Sequence, residues 1–128
     1  MILVDTSIWI EFFKGNTETV ILNELIDSNN LCVNDLILAE LIPAINHKRE
    51  SELKELLFKV TKTKLDINWN KIIKMQTLNL RNGINKVGIP DLIIAQNAID
   101  GNLELFSKDA HFELMSKLHG IRLFGPRK

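Results

Sequence analysis

One cysteine, Cys32, is all the thiol chemistry the chain carries. That excludes an internal disulfide, and without a second Cys or a His cluster near it a structural zinc site is excluded too; a reducing, cytoplasmic setting is expected. Long apolar runs are also lacking. The richest, residues 31–45, is broken by Asn34, Asp35 and Glu40, and the N-terminal MILVDTS has no basic stretch ahead of an apolar core. No secretion signal and no membrane span are therefore expected. Repeats, low-complexity tracts and linkers are absent. Net charge is missing as well, with 16 basic and 16 acidic residues. What remains is a chain of 128 residues, 45% hydrophobic and 25% charged, enough for one globular domain over 1–128 with a sizeable core.

The zero net charge conceals a polarity. Residues 1–56 hold four basic and ten acidic side chains, whereas residues 57–90 hold seven basic ones (Lys59, Lys62, Lys64, Lys71, Lys74, Arg81, Lys86) against Asp66 alone. An acidic pole suits a cation and a basic face suits phosphates, although a basic run also serves as a plain solvated helix face.

Short β-branched and apolar runs alternate with amphipathic stretches. Ile2-Leu3-Val4 reads as a buried strand that feeds a helix at Thr6 or Ser7, and Leu31-Cys32-Val33 as a second strand, followed by a helix capped by Asn34 and running to about Ile45. Pro43 predicts a kink in that helix just after Glu40, because its ring presses on the carbonyl of Ala39. Further helices are predicted over 17–26, 51–60, 69–81, 91–101 and 110–118, and further strands over 63–65, 103–106 and 122–124. Strands alternating with helices predict a three-layer α/β/α sandwich with a central, mainly parallel sheet. Functional groups in such sheets gather beyond the carboxyl ends of the strands.

Four acids acquire meaning from that rule. Asp5 ends the first strand, Asp109 follows the strand at 103–106, and Asp91 opens the Leu92-Ile93-Ile94 helix; each is also a fitting helix cap or first-turn acid. Glu40 stands among apolar neighbours, where a buried carboxylate needs a partner or a metal. Carboxylates brought together repel unless a cation joins them, and oxygen-only ligands select hard ions such as Mg²⁺ or Mn²⁺. Such an ion leads to phosphodiester hydrolysis by a metal-activated water. His111, beside Asp109, reads more simply as a surface histidine than as a ligand, and His47 and His119 carry no signal. Trp9, Phe12 and Phe13 are spaced to pack one helix face and offer a candidate contact surface.

Val4-Asp5-Thr6-Ser7-Ile8-Trp9, Ala39-Glu40-Leu41, Ile89-Pro90-Asp91-Leu92-Ile93-Ile94-Ala95 and Phe106-Ser107-Lys108-Asp109-Ala110-His111-Phe112 together resemble a PIN domain, in particular the VapC-type toxins of toxin–antitoxin pairs. The resemblance spans nearly the whole chain. It implies that Asp5, Glu40, Asp91 and Asp109 form a catalytic, metal-binding tetrad, with Ser7 and Ser107 as supporting hydroxyls. The family more often carries threonine where Ser107 stands, which keeps the hydroxyl; Pro43, one turn past Glu40, is a further departure. The resemblance also implies an Mg²⁺- or Mn²⁺-dependent endoribonuclease acting on tRNA or ribosomal RNA, leaving 5′-phosphate and 3′-hydroxyl ends. A cognate antitoxin and a homodimer are the implied protein partners. Lys86, Lys71 and Lys74 are the candidates for RNA contact, with Arg122, Arg127 and Lys128 as the alternative. Two other classes compete. A phosphoaspartyl phosphatase needs a second Asp where Ser7 stands, and a receiver domain needs paired acids and a late lysine that the chain does not offer. A non-catalytic binding module would use the same acids as caps, and metal-dependent RNA cleavage separates it from a nuclease.

Overall fold

The computed structural model describes residues 1–125; Arg127 and Lys128 lie outside them. Five strands, β1 (Ile2–Val4), β2 (Leu31–Val33), β3 (Thr61–Lys62), β4 (Glu104–Phe106) and β5 (Arg122–Leu123), pair in the order β3-β2-β1-β4-β5, every neighbour parallel. Among the described residues, seven helices flank the sheet: α1 (Thr6–Phe13), α2 (Ile21–Asp27), α3 (Asp35–Lys48), α4 (Ser51–Lys59), α5 (Trp69–Arg81), α6 (Ile89–Asp100) and α7 (Ala110–His119). This is the α/β/α sandwich that the alternating pattern predicts.

The apolar residues of β1 and β2 are buried throughout, as expected of central parallel strands covered on both faces. Trp9 is fully buried, donates its indole N–H to the Val4 carbonyl at 3.1 Å, and stacks with Phe12 and Phe13 at centroid distances of 5.9–6.1 Å. The aromatic group is core, with Phe12 and Phe13 only half-buried. The middle of α6, from Leu92 to Ala98, is buried on all sides.

Three local expectations are revised. The third strand lies at Thr61–Lys62 rather than 63–65, because buried Val60 supplies the apolar anchor as α4 ends; Thr63 still donates its amide to Val33 at 2.8 Å. Helix α3, expected to end near Ile45, runs on to Lys48. Pro43 removes one intrahelical bond, and the carbonyl it leaves belongs to exposed Ala39. The stretch expected as one helix over 17–26 is a 3₁₀ turn at Thr17–Thr19 followed by α2.

Buried amides tie the layers together. Asn34 caps α3 by accepting from Ile37 N–H at 2.9 Å and donates to Asn97 of α6 at 2.9 Å, while Asn97 donates to the Lys64 carbonyl at 2.9 Å. Gln96 receives the Asn68 amide at 3.0 Å and donates to Asp66 O and to Asp100. These bonds fix α6 against the chain that leaves β3.

Candidate functional site

Strand order reverses between β1 and β4, the place where parallel sheets open a crevice beyond their carboxyl ends. Asp5 leaves β1 at that crevice, and the Asp5 amide donates to Phe106 O at 3.0 Å, which binds the two strand ends together. Asp5 is 6% exposed. Its backbone occupies the cap position of α1, yet its carboxylate makes no cap bond. Instead Oδ2 accepts from the hydroxyls of Ser7, at 2.9 Å, and Ser107. Each hydroxyl in turn accepts a backbone amide, Lys108 N–H on Ser7 at 3.1 Å and Asp109 N–H on Ser107 at 3.0 Å. The two serines thus orient a buried carboxylate and fold the β4–α7 loop over it.

Asp109 caps α7, accepting the His111 amide on Oδ1 at 2.8 Å. Asp91 is the third residue of α6, after Gly88 at the cap and Pro90 in the first turn, a placement that proline's fixed φ favours. Burial pushes the Asp91 carboxyl up from 3.8 to about 6, and the neighbouring charges of Asp109 and Asp5 push it the same way, against a smaller opposing pull from His111. Three carboxylates therefore share one electrostatic environment.

Glu40 stands apart in character. The sequence argument took it for a buried acid, but it is exposed on α3. Its position rests on Thr6, whose hydroxyl donates to Oε1 at 2.9 Å and ties α3 to the start of α1 next to Asp5. The apolar neighbours of Glu40 divide between the core face and solvent, with Leu41 buried and Ala39 exposed.

His111, read as a surface histidine, is part-exposed and also lies against the site's carboxylates. Its Nδ1 lies 3.3 Å from Asp109 Oδ1 and 3.6 Å from Asp91 Oδ2. That nitrogen is buried and has no hydrogen-bond partner. One donor atom from each of Asp91, Asp109 and His111 falls within 4.8 Å of the others, a spacing one metal ion can span. Sequence reasoning passed over the Thr6 hydroxyl and set His111 aside, although its place two positions after a capping Asp was a usable signal.

The basic candidates are distributed. Lys86 is exposed in the α5–α6 loop with φ of 66°, two residues before the Gly88 cap of the helix that carries Asp91. Lys71 pairs with Asp100 at 2.9 Å, at the other end of α6, about 13 Å of helix away from Asp91. Lys71 and Lys74 line a cavity of about 300 Å³ with Met75, Leu78, Asp100 and His119. Lys62 and Lys64 pair with Asp35 and Asp66 at 3.1 and 3.3 Å. Arg122 donates to the Asn102 carbonyl at the amino end of β4.

The family model described as PIN domain matches residues 2–118. Among solved structures, the chain is similar to VapBC2 from Rickettsia felis bound to a DNA fragment from its promoter, with a TM-score of 0.75 and 19% identity over 97% of this chain and 98% of that one. It is similar to FitAcB from Neisseria gonorrhoeae, with a TM-score of 0.72, 20% identity and 98% of each chain covered. VapBC-1 from nontypeable Haemophilus influenzae gives a TM-score of 0.73 and 19% identity over 97% of both chains. No curated protein matches the chain.

Proposed function

The chain belongs to the PIN domain family, and from that membership we propose that it is a Mg²⁺- or Mn²⁺-dependent endoribonuclease, the toxin of a toxin–antitoxin pair. The observation that carries the reading is the meeting of Asp5, Asp91 and Asp109 at the sheet's switch point, close enough for the first and last to raise the carboxyl of the second. Repulsion of this kind is relieved by a divalent cation. The donor set fits one, since it offers carboxylate oxygens and a buried Nδ1 without a partner.

Asp91 and Asp109 would hold the ion, with Asp5 and Glu40 completing the acidic set. When bound, the ion supplies positive charge to the attacked phosphodiester and acidifies a water. Ser7 and Ser107 keep the Asp5 carboxylate in one orientation, and Thr6 does the same for Glu40. Preorganised donors of this sort cost no reorganisation during reaction. Lys86, at the lip beside α6, contributes phosphate attraction that an acidic pocket alone would oppose.

The substrate class is structured RNA such as tRNA or ribosomal RNA, cut to 5′-phosphate and 3′-hydroxyl ends. The protein partner is an antitoxin whose C-terminal segment crosses the acidic pocket and offers it an arginine, and the toxin itself pairs as a homodimer. VapBC structures as neighbours support an antitoxin partner.

The test is incubation with total RNA in Mg²⁺, in Mn²⁺ and in EDTA, followed by chemical mapping of the new ends. Cleavage in either metal, none in EDTA, and 5′-phosphate products are expected. RNA left intact in both metals identifies a binding module instead.

A further inference from the structure

We propose that His111 is itself a ligand of the bound cation, through Nδ1, and that it tilts the site from Mg²⁺ toward Mn²⁺. The inference rests on the nuclease reading only for the existence of a cation at these carboxylates.

The cap of α7 sets the geometry. Asp109 Oδ1 accepts the His111 amide at 2.8 Å, so the carboxylate and the imidazole two residues later are held on one side of the same helix start. Asp91 then arrives from α6, and Nδ1 comes to lie 3.3 Å from one carboxylate and 3.6 Å from the other. It makes an ion-pair contact with each but a well-formed hydrogen bond with neither, and the atom is shut off from water. A buried polar atom left without a hydrogen bond in a folded protein calls for a reason. Two carboxylate oxygens facing one ring nitrogen are held together by positive charge, either a proton on the ring or a cation bound to all three, and a cation also relieves the repulsion between the carboxylates.

Distances support the same conclusion. Adjacent ligands on an octahedral ion with bonds of about 2.1 Å sit about 3 Å apart. The two separations around Nδ1 are close to that figure, and all three donor atoms lie within 4.8 Å of one another. Waters would take the remaining positions of the ion. Imidazole nitrogen is a ligand that transition metals take readily and Mg²⁺ takes poorly, since Mg²⁺ prefers oxygen and keeps its waters. A site of carboxylates alone would lack that discrimination.

The experiment loads the wild-type protein with Mn²⁺ and records electron spin-echo envelope modulation. The expected result is the ¹⁴N pattern of a directly bound imidazole, changed to that of ¹⁵N when the protein is grown on ¹⁵N-histidine and absent in His111→Asn. Calorimetry on the same variant should show Mn²⁺ affinity lowered about tenfold or more, since even outer-shell partners of a ligand cost 10–100-fold, with a smaller loss for Mg²⁺. The isotope exchange needs no substitution, so it stands even where His111→Asn folds poorly. Mn²⁺ bound without ¹⁴N modulation, modulation that persists in His111→Asn, or equal losses for both ions would overturn the role of His111 while leaving the nuclease reading in place. Wild-type protein that binds neither ion removes both.

Discussion

Asp91 is where burial and charge act together, and its pH behaviour follows from that. Its carboxyl is raised from 3.8 to about 6, first by burial and then by Asp109 and Asp5. Between those two values the folded protein binds more protons than the unfolded chain, so metal-free stability falls as pH rises through the window. Above about pH 6 the full penalty is present. Asp91→Asn removes it, and the variant should match wild type near pH 4 and gain stability above pH 6. The gain should be about 1 kcal/mol, allowing for the partial exposure of the carboxylate, or a few °C in melting temperature. Melting curves from pH 4 to 8 in EDTA check this, and a variant that loses stability as pH rises would contradict it. The site's residues were unevenly legible. Asp5 and Asp109 announced themselves by following apolar strands, and Asp91 by opening an apolar helix. Glu40 was chosen for a burial it does not have, and its place depends on the Thr6 hydroxyl, a contact between residues 34 positions apart that no local pattern reveals. His111 was underrated because one of the two carboxylates at its ring comes from α6, far away in sequence.

At the scale of elements, period and punctuation gave the helices and the two central strands, whose apolar runs admit no other use. Strand β3 was placed two residues late, at 63–65, whereas pairing with Cys32 and Val33 begins directly after α4. The end of α3 was placed at about Ile45, the last apolar residue of its stripe, whereas polar Asn46, His47 and Lys48 extend the helix by most of a turn. What joins the elements was invisible: Asn34 and Asn97 read as ordinary polar residues, yet both are buried and bonded to each other. Asn97→Ala leaves the Asn34 side-chain amide and the Lys64 carbonyl without partners. A loss of about 1–3 kcal/mol is expected, measured as a fall in the urea midpoint without a change in slope. A midpoint equal to wild type would mean that water replaces the amide at no cost.

Across the whole molecule, three of the seven basic residues of 57–90 pair with acids. Lys71 turns to Asp100, Lys62 and Lys64 turn to acids of their own, and Lys86 remains beside the helix that bears Asp91. RNA affinity of the Asp91→Asn protein, measured across a salt series, should therefore respond unequally. Lys86→Ala should lower the log–log salt slope by about 0.7–0.9, the value of one lost phosphate contact, and Lys71→Ala should leave it unchanged. Equal slopes for all three proteins would show that the phosphates are held elsewhere. Sequence alone divides the chain by charge; only the fold tells which charges are already spent on each other.

The central claim is that a cation held by the carboxylates at the β1–β4 switch point cuts RNA. Single-turnover cleavage of one defined structured RNA in saturating Mn²⁺, by wild type and by Asp91→Asn with matched melting curves, tests it most directly. The account predicts cleavage by wild type and loss of at least about a hundredfold in the variant, the scale of removing one group that acts on the transition state. Equal rates for the two proteins would contradict it.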